Sequence, residues 1–115
     1  KVVYLDFWAS WCAPCKLSFP WMEKMQTKYK DKGFVVVTIN LDSEKKDAAT
    51  FLKPFKVNFV VEYDPEGKLA EAYSVEAMPT SVVFDRNGKK VSTHLGFDTV
   101  KAEKYEKEIK SLLTK

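Results

Sequence analysis

The sequence predicts an α/β fold, a mixed sheet flanked by helices, and three observations carry that prediction. Val2 to Trp8 and Phe34 to Leu41 are nearly continuous apolar runs, the pattern of strands covered on both faces. A helical pattern beginning near Pro14 lies between them, which makes the three segments a βαβ unit. Further on, Ser81–Asp85 and Lys90–Leu95 are joined by Arg86-Asn87-Gly88-Lys89, a hairpin turn signal that adds antiparallel strands.

Each element has its own local signal. The first helix runs from Pro14 to about Lys30, with Leu17, Trp21, Met25 and Tyr29 at helical spacing as its expected core face. Pro20 lies too far inside to be a first-turn proline, so it removes the hydrogen bond to the Lys16 carbonyl and is expected to kink the helix. Asp31-Lys32-Gly33 ends that helix with a glycine cap. Asp42 or Ser43 is expected to cap a second helix reaching Lys53, with Ala48, Phe51, Leu52 and Phe55 on one side and Pro54 as terminator. Phe59–Tyr63 reads as a short strand. Asp64-Pro65 then opens a brief helix, Asp as cap and Pro at its first position, turning Leu69, Ala72 and Tyr73 inward. After the hairpin, Thr99–Leu113 aligns Ala102, Tyr105, Ile109 and Leu112 to cover the sheet. His94, on the outer hairpin strand, reads as structural or surface.

Length and composition exclude several classes. At 115 residues the chain is expected to be a single domain, 1–115, with a core of its own. Hydrophobic content of 45% and charged content of 30% are ordinary for a soluble globular protein. The net charge is +3, and the lysines are interleaved with acids: Lys101, Lys104, Lys107 and Lys110 alternate with Glu103, Glu106 and Glu108. That is a solvated helix face and not a nucleic-acid footprint. No apolar run approaches the ~20 residues of a membrane span. Lys1 runs straight into a strand, so the sequence is expected to be an excised soluble domain whose export signal or anchor is missing.

The chemistry concentrates in Trp8-Ala9-Ser10-Trp11-Cys12-Ala13-Pro14-Cys15-Lys16, which holds both cysteines at the junction of strand and helix. A helix N-terminus leaves N–H groups unpaired and carries partial positive charge, which stabilises a thiolate. The thiolate is the nucleophile of disulfide exchange, and the two-residue spacer lets the second sulfur close on the first. Lys16 adds a positive charge beside Cys15. Three other readings compete: a structural disulfide, which would close a very short loop and remove little unfolded-chain entropy; a metal site, which needs about four ligands where the chain has two Cys and one distant His; and two inert thiols. The strand–CxxC–helix context favours redox chemistry. Asp6 is the one charged residue in the first strand. It is either an acid at a sheet end or a buried carboxylate with a raised pKa, able to serve as base for Cys15. Trp11 is expected beside Cys12 as apolar, substrate-facing surface, and Trp8 is expected to be packed.

These residues carry a family resemblance. Asp6-Phe7-Trp8-Ala9 followed by Trp11-Cys12-x-Pro14-Cys15 resembles the active-site segment of thioredoxins. Met78-Pro79-Thr80, entering Val82-Val83-Phe84, resembles their cis-proline loop and following strand. Cys15-Lys16-Leu17-Ser18-Phe19-Pro20, with the long segment between Leu41 and Met78, is similar to the TlpA/ResA-like branch of extracytoplasmic thiol-disulfide oxidoreductases. The resemblance implies a thioredoxin-like fold with a helix–strand–helix insertion between the βαβ unit and the cis-Pro loop. It implies catalysis by Cys12, the exposed attacking thiol, and Cys15, the resolving one, with Asp6 as base. Trp11, Ala13, Pro14, Met78 and Pro79 would bind substrate, the Met78 backbone offering strand-like hydrogen bonds to an extended segment. A cis Met78–Pro79 bond is expected, since a cis proline in a fold is usually kept for a purpose.

It further implies a periplasmic or extracytoplasmic reductant that acts as a monomer on protein thiols and disulfides. A membrane electron donor would re-reduce it, apocytochrome thiols or a copper-handling protein would be its clients, and it would use no cofactor or metal beyond the Cys12–Cys15 disulfide. The rivals are a disulfide-forming oxidant of the same fold and a thiol-based copper-binding or adaptor module. Two positions depart from the pattern: Thr38 stands where cytosolic thioredoxins usually carry a lysine near the buried acid, and Ser18 where many ResA-like reductants carry a glutamate.

Overall fold

A computed structural model describes all 115 residues. Its strands are β1 (Val2–Trp8), β2 (Phe34–Asn40), β3 (Val60–Tyr63), β4 (Thr80–Phe84) and β5 (Lys90–Leu95). Its helices are α1 (Ala13–Tyr29), α2 (Lys45–Leu52), α3 (Lys68–Ala72) and α4 (Thr99–Leu113). The five strands form one mixed sheet in the order β3-β2-β1-β4-β5. β1 pairs parallel with β2 and antiparallel with β4, so the strand that leads into the cysteines is the sheet's centre. The helix–strand–helix insertion supplies α2, the edge strand β3 and α3.

Side chains alternate across β1, and the two sides meet different partners. Val2, Tyr4 and Trp8 join Phe34, Val36 and Val83 under α1, α4 and α2 in a buried cluster that includes both cysteines. Phe7 joins Ile39 and Ala70 of α3 in a smaller cluster on the other face. Asp6 falls between Tyr4 and Trp8 in the alternation and therefore belongs to the face that carries the cysteines.

Several boundaries and faces differ from the sequence reading. In α1 the buried positions are Cys15, Ser18, Phe19, Met22, Met25, Gln26 and Tyr29, whereas Leu17 is exposed and Trp21 only half-buried. Met25 and Tyr29 are buried as expected, but the buried stripe starts at Cys15 and runs through the positions at i+3, i+4 and i+7 from it, which puts Leu17 outside it. Gln26 is tolerated inside because its amide bonds the Phe34 carbonyl (3.0 Å) and the Val36 N–H (2.8 Å) of β2. The helix runs on through Pro20. α2 begins at Lys45 with no side-chain cap, neither Asp42 nor Ser43, because Asp42 is bonded elsewhere. α3 starts later than expected, at Lys68, with Pro65 in the preceding turn. Asp64 nevertheless caps it, accepting from the N–H groups of Lys68, Leu69 and Ala70. That later start turns Ala70 inward and leaves Leu69 and Ala72 in solvent.

Candidate active site

β1 ends at Trp8, and α1 begins at Ala13 with Cys12 as its N-terminal flanking residue. Pro14 sits within the first turn, where a missing N–H breaks no intrahelical bond. Cys12 and Cys15 are joined as a disulfide, with their Cα atoms 5.4 Å apart. No acidic residue occupies that first turn, so nothing offsets the positive end of the helix dipole at the sulfurs.

Burial separates the two cysteines less than expected. Cys12, expected as the exposed thiol, retains 4% exposure and Cys15 none. The pair packs into the core cluster, and the short Cys12 N–H to Ala9 carbonyl turn folds the loop over it (3.2 Å). Cys12 is still the less buried residue of the two. Around it Trp11 is 72% exposed, and Ala13, Pro14 and Lys16 are exposed as well. Trp8 is fully buried between Phe19 and Phe51.

Asp6 is 1% exposed, and its Oδ2 has no hydrogen-bond partner. Burial alone pushes its carboxyl well above the usual carboxylate range. Thr38 lies opposite it in β2 and Ser81 opposite it in β4. Neither brings a compensating charge, and the Thr38 hydroxyl donates to the Val60 carbonyl instead (3.0 Å). Ser18 is likewise committed, donating to the carbonyl of Cys15 (3.0 Å).

The Met78–Pro79 peptide bond is cis. Thr80 pairs with Phe7, so the preceding proline lies at the Trp8 end of β1, where the cysteine loop begins. Pro79 is buried, its carbonyl accepting from Gly96 N–H (2.8 Å), while half-buried Met78 packs against the cluster that contains both cysteines. The fold thus brings the two sequence motifs, far apart in the chain, to one end of the sheet. His94 stays outside: it stacks on Tyr105 (4.1 Å between ring centroids) and bonds Glu108 (2.8 Å) on the α4 side of β5. No three His, Cys, Asp or Glu side chains are grouped to hold a metal ion.

One anchor escaped the sequence reading. Asp42, expected with Ser43 as alternative caps of the second helix, accepts from the Ser10 N–H (3.0 Å), the Ser10 hydroxyl (2.8 Å) and the Asn40 amide (2.8 Å). It ties the loop that carries the cysteines to the end of β2. The available signal was weak: three polar residues, Ser10, Asn40 and Asp42, at the ends of two apolar strands.

A family model described as Redoxin matches residues 1–111. The chain belongs to the Redoxin family. A thiol-disulfide oxidoreductase ResA of Bacillus cereus is 35% identical over 86% of this chain and 57% of the relative. That of Bacillus subtilis (strain 168) is 35% identical over 84% of the chain and 54% of the relative. The chain therefore spans little more than half the length of these two relatives. Among solved structures, a Chlorobium tepidum protein described as a thiol:disulfide interchange protein DsbE is 51% identical, with a TM-score of 0.95 over 98% of this chain and 80% of that one. The pneumococcal exposed lipoprotein thioredoxin of Streptococcus pneumoniae is 36% identical, with a TM-score of 0.74 over 92% and 82% of the two chains. The Redoxin fold here is thus the thioredoxin-like one, with the mixed sheet and flanking helices that the sequence predicts. No helix is long and apolar enough to cross a membrane.

Proposed function

We propose that this protein is a thiol-disulfide oxidoreductase that reduces protein disulfides in an oxidising, extracytoplasmic compartment. The Cys12–Cys15 disulfide at the positive end of α1 carries the reading. The names of the ResA and DsbE relatives support it.

In the reduced protein, the Cys12 thiolate attacks a client disulfide. One client sulfur bonds to Cys12, and the other leaves as a thiolate and takes up a proton. Ionised Asp6 then accepts the Cys15 proton, directly or through water. The new thiolate attacks the Cys12 sulfur, forming the Cys12–Cys15 disulfide and releasing the second client thiolate. Two electrons pass from the pair to the client. A carboxyl whose pKa burial has raised well above the usual carboxylate range is a stronger base than an ordinary carboxylate, which suits this step. Trp11, Ala13 and Pro14 form the surface over which the client approaches, and Met78, beside Pro79, offers it an extended backbone edge. Apocytochrome cysteines or the thiols of a copper-handling protein are the proposed clients, with a membrane donor restoring the dithiol.

The reduction potential tests the direction. Equilibration in glutathione buffers with trapping of free thiols is expected to give a value at or below about −220 mV; a value near about −120 mV would make the protein an oxidant. A pair that forms no intramolecular disulfide at all would rule out exchange chemistry.

A further inference from the structure

The unpartnered oxygen of Asp6 lies across the sheet from a hydroxyl that the exchange chemistry leaves unused. Asp6 pairs with Ser81 in the β1–β4 ladder and Tyr4 pairs with Val83, so Ser81 is also a diagonal neighbour of Tyr4. Directly opposite side chains share a face, with Cβ atoms about 4.5–5.5 Å apart, and a diagonal neighbour about 7–8 Å away is within reach of an aromatic side chain. All three residues are buried. Three polar side chains therefore meet in the middle of the sheet, on the face that carries the cysteines.

The other buried hydroxyls of the site are committed to backbone. Thr38 donates to the Val60 carbonyl, Ser18 to that of Cys15 and Thr80 to that of Ala77, whereas Ser81 gives its hydrogen to no carbonyl. Its side chain bonds the Tyr4 hydroxyl instead, acting against burial and the Asp6 charge, which hold that hydroxyl well above the usual tyrosine range. A serine hydroxyl has one hydrogen and two acceptor sites, so it can accept from Tyr4 and donate to Asp6 at once. The remaining titratable neighbours do not serve Asp6. Tyr105 and Glu108 come from α4, Glu108 tied to His94 (2.8 Å), and the two cysteines of the α1 end are joined to each other.

Resting on the thiol-exchange reading, we infer that Ser81 is the positioning residue of Asp6: its hydroxyl donates to the free Oδ2 when the carboxyl ionises, and Tyr4 donates to Ser81 behind it. A carboxylate that accepts a hydrogen bond holds its charge more readily than a bare one. The pair thus keeps ionised Asp6 ready for the Cys15 proton. Neither Ser81 nor Tyr4 gives up a proton of its own; the proton from Cys15 ends on Asp6, and the Ser81 bond then weakens.

Two measurements test the inference. Carbon NMR follows the titration of the Asp6 carboxyl in the disulfide form, where no thiol titrates beside it. Stopped-flow reaction of the reduced protein with dithiobis(nitrobenzoate) follows resolution: Cys12 expels one thionitrobenzoate, then Cys15 attacks the Cys12 sulfur, forms the disulfide and expels the second. In Ser81→Ala the Asp6 titration is expected about one pH unit higher, a tenfold change in its ionisation or about 1.4 kcal/mol. The part of the second phase that Asp6→Asn removes should move to higher pH with it. Ser81→Thr keeps the hydroxyl and should restore both, and Tyr4→Phe should raise both by less. An Asp6 titration unmoved by Ser81→Ala, or one that moves without the second phase, overturns the inference and leaves thiol exchange standing. So does a Ser81→Thr protein that matches Ser81→Ala, or a Tyr4→Phe protein at wild-type values. A wild-type protein that releases no second thionitrobenzoate at any pH overturns thiol exchange as well.

Discussion

Asp6 in the middle of β1 and Asp42 just after β2 are both buried acids on the same end of the sheet, and they are treated in opposite ways. Asp42 accepts three hydrogen bonds and joins the cysteine loop to the neighbouring strand. Asp6 leaves Oδ2 without a partner and keeps its proton well above the usual carboxylate range. A buried carboxylate is costly unless it is hydrogen-bonded. At Asp42 the cost is offset and the residue builds the frame; at Asp6 it is left standing, which is the condition the proposed proton exchange with Cys15 calls for. Partnering, and not burial, is what separates the two acids here.

Substitutions can break this contrast. The baseline is set by Cys12→Ser, which should abolish reduction of a protein disulfide such as insulin's, because the attacking thiolate is gone. Asp42→Ala comes next. It leaves the Ser10 N–H, the Ser10 hydroxyl and the Asn40 amide without their acceptor and should cost about 3 kcal/mol in urea unfolding. Asp6→Asn should do the reverse to stability and still damage function. Resolution of the mixed disulfide is expected to slow by about 10², read by stopped-flow, while the fold gains about 1–3 kcal/mol at pH 7. The sign follows from linkage. Asp6 holds its proton to higher pH in the folded chain than in the unfolded one, so wild-type stability falls as pH rises above about 4. The advantage of Asp6→Asn should therefore vanish below that pH, and an advantage independent of pH would mean Asp6 is not ionising. Asp64→Ala removes only a helix cap and should cost about 1–2 kcal/mol by the same unfolding assay. The smallest effect is expected of Ser18→Ala, about 0.5–1.5 kcal/mol with the exchange rate unchanged. A large drop in rate would make Ser18 a participant in proton transfer.

The same contrast explains what the sequence could reveal. β1, β2 and α4 were legible because their apolar residues follow the period of the element that buries them. The cysteine motif was legible because its spacing and its strand-to-helix context lie within one short segment. The face of α1 was legible only in part: Met25 and Tyr29 are buried as their spacing suggests, but the buried stripe that starts at Cys15 leaves Leu17 in solvent and Trp21 at its edge. From their neighbours in the chain, Asp64 reads as a local cap and Asp42 as one of two candidates for another, with Ser43. Asp64 is one, although its helix starts later than expected. Asp42 is claimed by Ser10, thirty-two positions away, a pairing that only the fold creates. The bareness of Asp6 is likewise a property of what surrounds it, and no residue in the sequence announces that its oxygen has no donor.

Two kinds of attachment meet at the disulfide. The loop that bears the sulfurs is fixed to the sheet by a directional carboxylate clamp, whereas Phe51 and Ala48 seat α2 by apolar contact. Apolar contacts tolerate exchange of one similar side chain for another far better than a three-donor clamp tolerates loss of its acceptor. The side of the disulfide that faces α2 can therefore be resurfaced at little cost, while the side held by Asp42 resists change.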